Sequence, residues 1–173
     1  GLLQGNCSIP SAGSGTPGTP STPGGGGGTG SLTLLEVARS NSVGKRPDGR
    51  CYFHVANYID EAGFCGIQRN GFNAAIPSGY YAEARNFAEY LNQGDNASRL
   101  GIVKLGMNNP YTAPAGSIVV VRAGTPGTSH PTAGDIAVAD GQGNFYNGGE
   151  MGYGGSNNFT TGNNYVLGIY ACQ

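Results

Sequence analysis

Tryptophan is absent from this chain, and charge is scarce: Lys and Arg total 9, Asp and Glu 10, for a net charge of −1 over 173 residues. Nucleic-acid binding leans on clustered Lys and Arg, and no basic patch stands out, so a nucleic-acid partner is set aside. No apolar run approaches the length of a membrane span. Histidine is limited to His54 and His130, and cysteine to Cys7, Cys51, Cys65 and Cys172. Cys51 and His54 have a tempting i,i+3 spacing, but no second Cys/His pair completes a tetrahedral site, so no metal is expected. The glycine runs lack a following Lys-Ser/Thr and a preceding strand, which argues against a phosphate loop.

What the chain has instead is glycine, 33 residues of it. Residues 1–30 are built mainly from Gly, Ser, Thr and Pro, carry no charge, and include the run Gly24 to Gly28. Such a segment has almost no apolar surface to offset its ordering entropy. Residues 1–30 are therefore expected to be a linker, flexible from Gly13 to Gly30. Residues 31–173 are enough for one modest core. Low charge with abundant Asn, Ser, Thr and Gly fits an exported protein, secreted or periplasmic.

Leu32, Leu35, Val37 and Ala38 predict a short helix over Ser31 to Arg39. Pro47-Asp48-Gly49 is a turn signal. Beyond it Cys51, Val55, Tyr58, Ile59 and Ala62 share one face at helical spacing, predicting a helix from Cys51 to Glu61 that stops at Gly63. Residues 66–79 are expected to be loop. Tyr81, Ala84, Phe87, Ala88 and Leu91 predict an amphipathic helix from Tyr80 to Asn92, with one more turn over Asp95 to Leu100. From Pro114 the period changes to two. Strands are expected at Ser117 to Arg122, Asp135 to Asp140, Asn144 to Asn147 and Tyr165 to Cys172, the middle two joined by Gly141-Gln142-Gly143. Helices first and an antiparallel sheet second is an α+β layout.

Cys51 follows a turn and opens a helix. Orphan backbone N–H groups and the helix dipole lower a thiol's pKa there, and the thiolate is the attacking form. The same N–H groups can serve as an oxyanion hole. A buried or bridged cysteine is the competing reading. His54 lies one turn further along and fits a helix-surface or packed histidine. His130 sits in a loop feeding the strand at Asp135 and is the better general base. For the cysteines, domain termini are often close, which favours Cys7 with Cys172, Cys51 free, and Cys65 free or buried. The rival is that all four are bridged, as secreted chains often have it. A Cys51–Cys65 bridge would have to span roughly 20 Å of straight helix, whereas bridged Cα atoms lie within roughly 7 Å.

The order of these pieces resembles the CHAP and NlpC type of papain-like peptidoglycan hydrolase. The resemblance rests on Gly49-Arg50-Cys51-Tyr52-Phe53-His54-Val55, on Pro114-Ala115-Gly116-Ser117-Ile118-Val119-Val120-Val121, and on residues 134–147, Gly-Asp-Ile-Ala-Val-Ala-Asp-Gly-Gln-Gly-Asn-Phe-Tyr-Asn. It covers roughly Asp48 to Cys172. It implies a papain-like fold and acyl transfer at an amide bond of peptidoglycan, as amidase or endopeptidase. Cys51 attacks, His130 carries the proton, and water clears the thioester. No cofactor is implied, and a monomer is expected. One departure stands out: the family usually places its histidine where this chain has Asp135. The residue that orients the histidine is then Asn147, by its place on the return strand, or Asp135, if His130 reaches back over the strand start. The stretch Asn147 to Gly155 is a candidate cleft rim or an ordinary Gly-rich connection. A non-catalytic wall-binding module, with Cys51 bridged and the base lost at Asp135, and a structural appendage displayed on the linker are the competing functions.

Overall fold

A computed structural model describes residues 28–67, 83–128 and 130–173. Among the described residues, four α-helices precede or flank one antiparallel sheet: α1 (Leu32–Ser42), α2 (Cys51–Ala62), α3 (Ala84–Leu91) and the single turn α4 (Asn96–Arg99). The strands are β1 (Ile102–Lys104), β2 (Ile118–Val121), β3 (Asp135–Ala139), β4 (Phe145–Tyr146), β5 (Glu150–Met151) and β6 (Val166–Cys172), in the order β1-β6-β2-β3-β4-β5. The α+β class expected from the sequence is what the chain adopts. Most of the linker and part of the expected Tyr80 to Asn92 helix lie outside the described residues, as does most of the loop at 66–79. No described helix is long and apolar enough to cross a membrane.

Local chemistry explains the helix limits. Ser31 caps α1, its side chain accepting the Leu34 N–H at 3.1 Å, which satisfies one orphan donor of the first turn. Asp48 closes the turn before α2 by accepting the Arg50 N–H at 3.1 Å. α2 itself begins without a side-chain cap, so Cys51 opens it beside first-turn N–H groups that no capping side chain occupies.

β2 sits at the centre, paired with β3 and β6, and all four of its residues are buried. Its alternation divides the core. Ile118 and Val120 pack with Leu34, Val55, Ile59 and Phe87 under the helices. Val119 and Val121 pack on the other face with Tyr111, Phe145, Tyr153 and Phe159. Burying each large apolar side chain contributes roughly 1.5–3 kcal/mol, so both faces matter. The second face is an aromatic layer, with Tyr111 edge-on to Phe145 at 5.1 Å and Phe145 tilted against Tyr153 at 4.9 Å. The Tyr111 hydroxyl accepts the Tyr153 and Gly155 N–H groups at 3.0 and 3.3 Å. Tyr153 is buried and Glu150–Met151 form β5, so much of the stretch expected as a rim belongs to the sheet and its core.

The sheet edge differs from the sequence expectation. β1 was not foreseen. It pairs with β6 from Ile102↔Cys172 to Lys104↔Tyr170. Upstream, Thr29 exchanges two backbone hydrogen bonds with Cys172, at 2.9 and 2.8 Å. Cys172 is bonded to Cys65, with Cα atoms 5.0 Å apart, so neither the Cys7–Cys172 pairing nor an unpaired Cys65 holds. The physical reason is the path of α2. Its C-terminal turn delivers Cys65, at φ 57°, to the β1–β6 edge, where Gln173 N–H donates to Gly101 at 3.0 Å. Nearness of chain ends is a weaker constraint than the place where a core helix terminates.

Candidate functional site

Three elements meet at Cys51: the start of α2, the start of β3, and the residue after β4. Cys51 is buried, 2% exposed, and its Sγ accepts the Ile136 N–H at 3.4 Å. The expectation of a free thiol is not met. Cys51 is disulfide-bonded, and no described cysteine is free. A sulfur in a disulfide has neither the proton nor the lone-pair charge of the attacking thiolate.

His130 makes no hydrogen bond with Cys51 among the described residues. Its Nδ1 accepts the backbone N–H groups of Thr132 and Ala133 at 3.1 and 2.9 Å, and no other hydrogen bond engages it among the described residues. Two donors on Nδ1 fix the proton of the neutral ring on Nε2. The ring therefore presents a donor outward and has no open lone pair with which to take a thiol proton. Further along, Ala133 is fully buried and its carbonyl accepts the Arg85 N–H at 2.9 Å.

The two residues weighed for orienting the histidine bind each other instead. Asn147 Nδ2 donates to Asp135 Oδ1 and to the Ile136 carbonyl, both at 3.1 Å, and lies 2.9 Å from Met151 Sδ. Ile136 N–H splits between Cys51 Sγ and Asp135 Oδ1, the latter at 2.9 Å. Asp135 thus occupies the β3 position beside Cys51. Its Oδ2, Asn147 Oδ1 and the Tyr153 hydroxyl are buried without a hydrogen-bond partner among the described residues. Burial pushes the Asp135 carboxyl well above the usual carboxylate range, against the downward pull of Ile136 N–H and the Asn147 amide. Burial likewise raises the Tyr153 phenol, and the charge of Asp135 adds to it. No protein-family model, curated protein or solved structure matches the chain.

The raised carboxyl has a sign that can be checked. A folded-state pKa above the unfolded one means that the contribution of Asp135 to stability is full below the unfolded value, about 3.9. It is lost as pH rises through the folded value. Asp135→Asn keeps the acceptor for Ile136 and Asn147 but cannot ionise. It is expected to be more stable than the wild type at neutral pH, with the gap closing as pH falls towards 4. Equilibrium denaturation across that range checks this. A constant offset between the two proteins would contradict a buried, titrating Asp135.

A second cluster was not assembled from the sequence. His54 Nε2 lies 3.0 Å from both carboxylate oxygens of Asp48, and Arg50 binds the same carboxylate at 3.0 Å. Burial works upward on Asp48, but His54 and Arg50 together outweigh it and hold the carboxyl below its ordinary value. The missed signal was the Asx turn: it fixes Asp48 just ahead of α2, within reach of the helix's second turn. Among the described residues no group of three or more His, Cys, Asp or Glu side chains gathers as metal ligands.

Proposed function

We propose that this chain is a papain-like module that binds bacterial peptidoglycan without hydrolysing it while Cys51 is oxidised. The sequence resemblance supplies the fold family and the wall polymer. One observation carries the rest: Asp135, hydrogen-bonded to Asn147, stands beside a disulfide-bonded Cys51. That arrangement offers no thiolate and no imidazole, and acyl transfer at an amide requires a nucleophile and a base together. Disulfides and the exported composition favour a secreted or periplasmic location.

Sedimentation with insoluble peptidoglycan, followed by mass spectrometry of the supernatant, tests both halves. The oxidised protein is expected to pellet with the polymer and to release no muropeptides. Release by the oxidised wild type that disappears in Cys51→Ala would overturn the non-catalytic reading.

A second reading is favoured by the helix terminus itself. Cys51 Sγ sits at the uncapped start of α2 and receives the Ile136 N–H, both of which stabilise a thiolate. In that reading the protein is a cysteine amidohydrolase kept idle by oxidation. A small dithiol supplies two electrons and two protons, cleaves the S–S bond, and becomes a disulfide itself. Cys51 then attacks the amide carbonyl, with His130 moved from its backbone partners to take the thiol proton and pass it to the leaving amine as the C–N bond breaks, and water hydrolyses the thioester to free Cys51. Muropeptide release only after reduction, abolished by Cys51→Ala and cut roughly 10⁴-fold by His130→Ala, would establish it.

A further inference from the structure

The cleft beside α2 has no part in the chemistry at Cys51. It measures about 620 Å³ and lies between the α1–α2 connection, one stripe of α2 and the hairpin residue Gly148. We infer that it is a binding site for a zwitterionic peptide segment, with a carboxylate at Lys45 and Arg46 and an ammonium at Glu61. This deepens the wall-binding reading and rests on it for the source of the peptide.

The charges argue for such a ligand. Lys45, Arg46 and Glu61 all line it and all are exposed, and none of the three makes an ion pair among the described residues. Asp48, in the same cleft, is by contrast already engaged by Arg50 and His54. Two uncompensated cations and one uncompensated carboxylate in one cleft suit a ligand that carries both signs. A polyanion would meet repulsion at Glu61.

The walls are held before any ligand arrives, which lowers the ordering cost of binding. Asp48 fixes the His54 ring through Nε2. The ring lies so close to Gly148 that a Cβ there would fall 2.2 Å from His54 Cδ2. Tyr58 hydroxyl bonds to Ser42 Oγ at 3.0 Å, and Gly148 N–H donates to the same oxygen at 3.2 Å. The basic connection is tied to the hairpin twice: Gly44 N–H donates to Glu150 Oε2, and Glu150 N–H to the Lys45 carbonyl, each at 3.1 Å. The volume falls within the range of small-ligand sites, roughly 300–1,000 Å³, enough for a short peptide.

The probe is the soluble tripeptide L-Ala-γ-D-Glu-L-Lys, titrated calorimetrically into the oxidised, full-length chain. Saturable binding is expected, weakened about tenfold or more in the Lys45→Ala/Arg46→Ala double variant. Glu61→Gln should weaken it by a similar factor, and by nothing further when the lysine ε-amine of the peptide is acetylated. These side chains are exposed, so circular dichroism should show unchanged folds. No saturation at millimolar peptide, or equal affinity in the double variant, overturns the inference. Sedimentation of the same variants with whole peptidoglycan separates the two readings. Variants that still pellet while the tripeptide fails to bind would remove the cleft and leave wall binding standing. Tripeptide binding by a wild type that does not pellet would remove wall binding and leave the cleft.

Discussion

Replacing Cys65 and Cys172 together by serine is expected to cost the domain roughly 2–5 kcal/mol of stability. The two residues are 107 positions apart, so their bond closes most of the domain into one loop and removes many conformations from the unfolded chain. It also anchors the turn after α2 to the last residue of β6, at an edge where β1 contributes only three residues. Urea denaturation under non-reducing conditions reads the effect as a lower midpoint. An unchanged midpoint would mean that the β1–β6 edge stands on its own hydrogen bonds.

Gly116→Ala is expected to lose roughly 2–5 kcal/mol, from left-handed strain and overpacking together. Gly116 has φ +79°, and a Cβ on it would fall 2.2 Å from the Ser31 carbonyl oxygen. The two segments cross at backbone contact, with Ser31 N–H donating to the Gly116 carbonyl at 2.9 Å. The crossing is glycine on both sides, since a Cβ on Gly30 would meet the Ala115 carbonyl at 1.9 Å. Ser31 is also the cap of α1, so the intrusion pushes on that helix's first turn. Gly44→Ala is the control. Its φ is +78°, but nothing lies within 4 Å of the added carbon. The two variants share the dihedral strain, and thermal melts that shifted them equally would show that the crossing carries no extra cost.

The parts of the fold that the sequence revealed are those with a strong local period. α2 runs Cys51–Ala62, against an expectation of Cys51 to Glu61, and β2, β3, β4 and β6 fall within the runs assigned to them. β1 and β5 escaped because three and two residues carry no period, and their pairing is decided by neighbours far along the chain. Cysteine pairing escaped for a related reason. Spacing excluded Cys51–Cys65 correctly, but which partner Cys65 meets depends on where α2 ends against the sheet. At the site, sequence order brought Cys51, Asp135 and Asn147 to notice, and they do converge. His130 did not, because a histidine in a loop has no period to fix its direction, and two backbone N–H groups from Thr132 and Ala133 claimed its ring. The Asp48–His54 pair lay hidden in a turn read only as punctuation.

The bridge between Thr29 and Cys172 has a mechanical meaning. A pull carried by the backbone through Gly28 enters the folded domain at Thr29, which two hydrogen bonds tie to Cys172. There it meets a covalent link to Cys65. The load is handed across to the end of α2 instead of running down β6 and peeling it from β2. The backbone's share of such a load is therefore borne at the crosslinked corner, two places across the sheet from the strand that presents Asp135.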